Sequence, residues 1–349
     1  MNKRNQRRRS LRTTLLLLLL TAILLISSSY AWFTANQTVT VSELEVNVAA
    51  QNGLQISADG INWKSVISKE ELAQSVVTTS YPTAVNKFPT TLAPVSTIGD
   101  IDTTTGYMKM FDGKVVEGED ILTATQSAET VDSANYYIAF DLFLSVQKAT
   151  QLYLTSSSNV VATDTTTKGM ENAARIAFVD QGYTAAGSPT STIQGLKGAT
   201  TSSRYIWEPN YDTHTAAGVA NGNAVYASNI TITPEEQEAI TAGTLKEIKD
   251  RDQLSYHGIK AEIPDSAAVQ LNKTTDAGNS SYFSAVSTSY ATKKGFTDQV
   301  KIFSLQPGIT KIRVYMWIEG QDIDCENNAS GSNIAYNLQF TIAEPTTGV

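Results

Sequence analysis

One cysteine and two histidines stand in a chain of 349 residues. The lone Cys325 closes no internal disulfide, so the fold is not a disulfide scaffold. It reads as a small buried hydrophobe. Three such residues fall short of the four nitrogen or sulfur ligands of a structural zinc site. Basic residues are also short: 26 Lys and Arg face 34 Asp and Glu, a net charge of −8. That balance excludes the basic surface of a general nucleic-acid binder. Charged residues make up only 17% of the chain, yet Thr, Ser and Asn fill the gap rather than apolar residues. Such a composition excludes a polytopic membrane protein and favours strands and turns over helix surfaces. Catalytic motifs are missing as well. His214 and His257 belong to no HExxH, and there is no GxSxG elbow and no phosphate-binding glycine loop. Both histidines read as solvent-exposed loop residues. No catalytic residue and no cofactor is assigned, and the chain reads as non-enzymatic.

The first thirty residues carry a targeting pattern. Lys3, Arg4, Arg7, Arg8, Arg9 and Arg12 form a basic segment with no acidic residue among them. An apolar run over residues 15–26 follows and ends in Ser27-Ser28-Ser29-Tyr30-Ala31. Small Ser29 and Ala31 occupy the −3 and −1 positions of a signal-peptidase site. The run is shorter than the roughly 20 apolar residues that span a bilayer. Cleavage after Ala31 is therefore the leading reading, and an uncleaved membrane anchor over residues 13–33 is its rival. Either way the expected location is extracellular or in the cell envelope, with the membrane touched only through this segment. Removing the leader removes six of the 26 basic residues and none of the 34 acidic ones, which leaves a net charge of −14.

Beyond the leader the main signal is period-two alternation. Residues 311–319 place Ile312, Val314, Met316 and Ile318 on one face, and Lys311, Arg313, Tyr315, Trp317 and Glu319 on the other. Residues 333–342 and 136–146 alternate in the same way. Weaker strands are expected over 38–48, 53–57, 151–155, 174–179, 204–208 and 300–305. Half-buried antiparallel strands are the expectation for the three clear patterns. The apolar phase switches between Val41 and Leu44, which predicts a bulge or a change of sheet. Helix starts occur only at Thr233-Pro234-Glu235-Glu236 and Ser68-Lys69-Glu70-Glu71. Long polar stretches over 78–106, 156–170, 184–203 and 211–223 read as surface loops inserted between strands. The expected architecture is all-β: one antiparallel β-sandwich over residues 32–349, with long insertions and one or two short helices.

Two features could bind something. Glu319, Asp322, Asp324 and Asn327 offer hard oxygen ligands in one loop, a spacing that suits Ca²⁺. The alternative is an acidic turn whose side chains bond their own backbone. Tyr315 and Trp317, as surface aromatics, would suit a glycan or a partner chain. Alternatively their face lies under a further layer.

At Tyr30-Ala31-Trp32-Phe33-Thr34, followed by Leu44-Glu45-Val46-Asn47-Val48, the chain resembles the export and start region of the TasA and camelysin family. These are Gram-positive surface and biofilm-matrix proteins. Residues 314–325 also look like a block found in uncharacterised exported proteins of Firmicutes. The resemblance implies a jelly-roll sandwich and fibres in which one subunit's N-terminal strand completes its neighbour's sheet. Some camelysin relatives are described as metalloproteases, and the histidine motif of that activity is absent here. Strand donation also suits the residues themselves, since Val39, Val41, Leu44, Val46 and Val48 can fill an open groove. The competing expectation is an edge strand paired within its own chain. The leading function is thus a non-enzymatic cell-surface or matrix structural protein, with self-assembly and envelope or matrix components as partners. A surface binding module for a glycan or Ca²⁺ is the alternative, and an exported hydrolase is a weaker one.

Overall fold

Alternating segments need two surfaces, one for the core and one for solvent or a second layer, and their pairing decides which. A computed structural model describes residues 38–49, 53–116, 121–128, 136–163, 169–198, 203–286, 288–326 and 330–342. Residues 1–37, and with them Ser29 and Ala31, lie outside these, as does Asn327. The fold is mostly β. One sheet runs Val300–Leu305, Thr150–Leu154, Asn333–Thr341, Val39–Val48, Val66–Ser68. Two short strands branch from it, Thr91–Leu92 beside the first strand and Asn159–Ala162 beside the last. A second large sheet runs Tyr290–Ala291, Arg204–Glu208, Ala174–Thr184, Gly308–Ile318, Ile138–Val146, Gln55–Ser57, and three sheets of two or three short strands accompany the pair.

The in-phase residues of both sheets share one core. Val41, Val46, Leu338 and Phe340 come from one sheet; Phe140, Leu142, Ile176 and Val314 come from the other. The Phe178 ring meets Phe340 edge-on at 5.7 Å, and Tyr205 stacks on Phe303 at 5.3 Å. Both contacts tie one sheet to the other.

The strand Val39–Val48 lies inside its own sheet. It runs parallel to the last strand, from Thr40 opposite Asn333 to Val48 opposite Phe340. Its other flank pairs with three residues of Val66–Ser68 and two of Thr91–Leu92. Val39, Val41, Leu44, Val46 and Val48 are all buried. The register shifts between Val41 and Glu43, where the apolar phase switches. The strand is therefore paired within its chain, but it is not an edge.

The central strand Gly308–Ile318 departs from the half-buried expectation, because every residue in it is buried. Part of the cover, Tyr81, Ala84, Val95 and Ile193, comes from polar stretches expected as surface loops, and the rest from segments around 108–110, 256 and 286. Val95, Met108, Met110, Tyr256 and Val286 pack on Tyr315 and Trp317. Tyr81, Ala84 and Ile193 pack on Phe143 and Ile309. Tyr315 and Trp317 are thus not surface aromatics. Large rings on a strand's second face leave water when a loop can cover them.

Both expected helix starts are present. Pro234–Thr241 is capped by Thr233, whose hydroxyl accepts from the Glu236 amide. At Lys69–Leu72 the Glu71 carboxylate accepts from the Ser68 amide. The helix Ala216–Val225 was expected as loop. Its Ala, Gly and Asn residues lack an apolar stripe, so no period revealed it. Among the described residues no helix is long and apolar enough to cross a membrane.

Replacing Phe178 by Ala should cost about 3–5 kcal/mol of stability through the cavity left between the sheets. Replacing half-exposed Val161 by Ala should change stability by less than about 0.5 kcal/mol. Urea unfolding of both variants checks the contrast.

Candidate functional site

Strand register builds two charge clusters on the covered face of the central strand. Arg313 lies directly opposite Asp141 and donates to its Oδ1 at 2.9 Å. Lys311 Nζ lies 3.1 Å from Asp141 Oδ2, and the Tyr81 hydroxyl donates to the same oxygen at 2.8 Å. Burial pushes the Asp141 carboxyl up, but the two cations more than offset this and hold it below the usual carboxylate range. One carboxylate here has two cations.

The second cluster reverses that ratio. Trp317 lies opposite Arg175, and Ile176 opposite Trp207, so Glu208 falls beside Arg175. A single guanidinium nitrogen, Arg175 Nη2, donates to Glu208 Oε1 at 2.9 Å and to Asp322 Oδ2 at 2.6 Å. The other, Nη1, serves the Asn172 and Ala174 carbonyls. Glu319 is also buried nearby and accepts from Trp317 Nε1 at 3.1 Å. Two carboxylates thus share one guanidinium nitrogen, and Glu319 feels its charge more weakly. Burial pushes Glu319 up to about 7, and it also raises Glu208, with Asp322 adding repulsion and Arg175 opposing it.

Past Glu319 the chain turns back over the strand end. Asp322 Oδ1 accepts from the Asp324 amide at 2.9 Å, as an acidic turn bonding its own backbone would do. Asp324 Oδ2 lies 3.0 Å from His214 Nδ1, and its Oδ1 accepts from the Thr215 amide at 2.7 Å. Thr215 also donates to Glu326 at 2.8 Å. Gly218 permits this close approach, since a Cβ there would sit 2.6 Å from Asp324 Oδ1. Burial lifts Asp324 to about 6, with repulsion from Asp322 adding to it. Burial alone would lower His214, but Asp324, Asp322 and Glu208 outweigh it and raise it.

His214 is buried, which corrects its reading as an exposed loop residue. His257 is half-buried in the strand His257–Ile259. The proposed calcium ligands separate: Asp322 turns to Arg175, Asp324 to His214, and Glu319 to Trp317. Among the described residues no group of three His, Cys, Asp or Glu is placed to hold a metal ion. Cys325 is a buried free thiol, and burial pushes it well above its ordinary range.

A cavity of about 290 Å³ opens against this cluster, lined by Glu208, His214, Tyr226, Tyr256, Gln321 and Asp322 among others. The Arg175 guanidinium lies over the Tyr256 ring, 5.3 Å from its centroid. Arg175, Glu208 and Tyr256 were not singled out from the sequence. One signal was available. In residues 174–179 the face opposite the core reads Arg175, Ala177, Val179, and an arginine beside two apolar residues marks a covered face that needs a buried counter-charge.

Comparison with protein-family models, with curated proteins and with solved structures returns no match for this chain.

Replacing Asp141 by Asn leaves Arg313 and Lys311 buried without a carboxylate and should cost about 3–5 kcal/mol, read by denaturant unfolding. Glu319, Asp324, Glu208 and His214 are all raised, so the folded state holds more protons than the unfolded chain. Their contribution to stability therefore falls as pH rises. For Glu319 the loss begins near 4.5 and is complete above about 7. Glu319→Gln keeps an acceptor for Trp317, and its melting temperature should fall less steeply than wild type from pH 5 to 8. Equal slopes would remove Glu319 from this account.

Proposed function

We propose that the chain is an exported structural protein of the cell envelope or its surrounding matrix, and that copies join by exchanging their first strand. The basic and apolar leader supports export, and the acidic remainder supports solubility once outside. The resemblance to the TasA and camelysin family around residues 30–34 and 44–48 points the same way, toward a jelly-roll and fibre-forming relative.

The observation that carries the proposal is the placement of Val39–Val48. It follows the leader, and five buried side chains and a parallel ladder of eight pairs hold it to the last strand. Its other flank is held by only five pairs, to two short strands. An identical strand from a second copy would find the same groove, the same ladder and the same bulge. Because such a contact runs head to tail, it need not close and can extend into a filament.

A surface binding module is the second reading. It rests on the cavity and not on Tyr315 and Trp317, which are covered.

Glu45 and Asn337 face each other across the ladder, and Glu45 is exposed. Protein carrying Glu45→Cys, co-refolded with protein carrying Asn337→Cys under mild oxidation, should yield a disulfide-linked heterodimer on a non-reducing gel. Neither variant can form that bond within one chain. Recovery of monomers alone would sink strand exchange.

A further inference from the structure

We propose that the cavity lined by Glu208, His214 and residues 321–323 binds a small organic cation bearing a primary ammonium and hydroxyl groups, the chemistry of an amino sugar. This deepens the binding-module reading and is independent of strand exchange.

Charge is the first argument. Glu208 and Asp322 line the cavity and share one guanidinium nitrogen. At Asp141, on the same strand face, two cations serve one carboxylate. His214 pairs with Asp324, which leaves Glu208 and Asp322 on Arg175 alone, and a ligand ammonium beside them would add the second positive charge. An anion would meet two carboxylates, and a neutral molecule would leave the imbalance as it is.

Unpartnered polar atoms are the second argument. His214, Tyr256 and Gln321 line the cavity, are at least nine-tenths buried, and have His214 Nε2, Tyr256 Oη and Gln321 Nε2 without hydrogen-bond partners. Asp324 occupies the other nitrogen of His214, so Nε2 is the edge left for a ligand. Leaving such buried groups unpaired is costly, and ligand hydroxyls satisfy both donors and acceptors. Ser255 and Thr275, exposed at the lining, extend the same hydroxyl-compatible surface.

Size and shape are the third. About 290 Å³ lies at the low end of small-molecule pockets and suits one sugar-sized ring. Tyr226 and Tyr256 offer aromatic surface of the kind that receives cations and sugar faces. A metal ion fits less well, since the carboxylates are held by Arg175 and His214 and form no ligand group among the described residues.

The test is isothermal titration of the full chain with D-glucosamine near neutral pH, with N-acetylglucosamine and glucose as uncharged counterparts. Glucosamine should bind at least about tenfold more tightly than either, the difference a charge-assisted hydrogen bond makes. Glu208→Gln should abolish that preference. Tyr256→Phe keeps the ring over Arg175 and removes only the hydroxyl. It should weaken glucosamine a few-fold while far-UV circular dichroism stays native. Equal binding of glucosamine and N-acetylglucosamine, absence of glucosamine binding, or unchanged affinity in a folded Tyr256→Phe protein would each overturn the proposal.

Discussion

A strand that carries Lys311, Arg313, Tyr315 and Trp317 on its second face can sit at the centre of a sheet only if that face is covered and its charges are matched. Every residue of Gly308–Ile318 is buried, so both conditions hold. The desolvation of two buried cations costs several kcal/mol per ion, and Asp141 offsets it only with the geometry seen: direct opposition across the ladder, a bond from Tyr81, and Arg313 reaching the Val85 carbonyl at 2.5 Å. The polar insertions are therefore structural. Without Tyr81 and residues 85–110 over the sheet, the central strand would present charge and aromatic surface to water and the sheet would lose its second support.

Period two was enough to find the principal strands, because alternation reports directly which side chains share a face. The bulge after Val41 and the capping boxes at Ser68 and Thr233 were legible for the same reason: each is encoded within four residues. Direction and partner were not. Alternation is identical in parallel and antiparallel ladders, so the parallel pairing of the first and last strands left no trace. The loop layer was misread because Thr, Ser and Asn suit both exposed turns and hydrogen-bonded cover. Asp322 and Asp324 attracted notice by spacing alone, while their partners Arg175 and His214 lie 147 and 110 positions away. Contacts at that separation depend on topology, and no local pattern encodes them.

Topology also bears on how the first strand joins the fold. Ser42 donates to the Ile334 carbonyl across 292 positions, and such contacts carry the largest loop-closure cost. The last strand is independently held on its other side by Thr150–Leu154 and Asn159–Ala162. It can therefore be in place before Val39–Val48 docks. Without Val39–Val48 that strand's other flank would carry an unsatisfied ladder. Under the proposed strand exchange another copy would offer the same segment, and local concentration would decide between closing and exchanging.

The two clusters on the covered face lie four residues apart along one strand, Arg313 to Trp317, or about 13 Å at strand rise. They share a sheet, a covering layer and a degree of burial, yet their charge ratios are opposite. If both served stability, both should approach neutrality, since an unmatched buried carboxylate is costly and a well-packed apolar residue of similar size is not. Asp141 meets that standard, being fully bonded and held ionised. Glu208 and Glu319 are bonded too, to Arg175 and Gln253 and to Trp317 and the Gln321 amide, yet burial raises both, Glu319 to about 7. The deficit adjoins the cavity, where His214, Tyr256 and Gln321 leave polar atoms unmatched. Stability selects against each of these features separately. Their coincidence at one concave surface is what a site adapted to an external cation requires, because the missing charge and the missing hydrogen bonds are then supplied together when the ligand arrives.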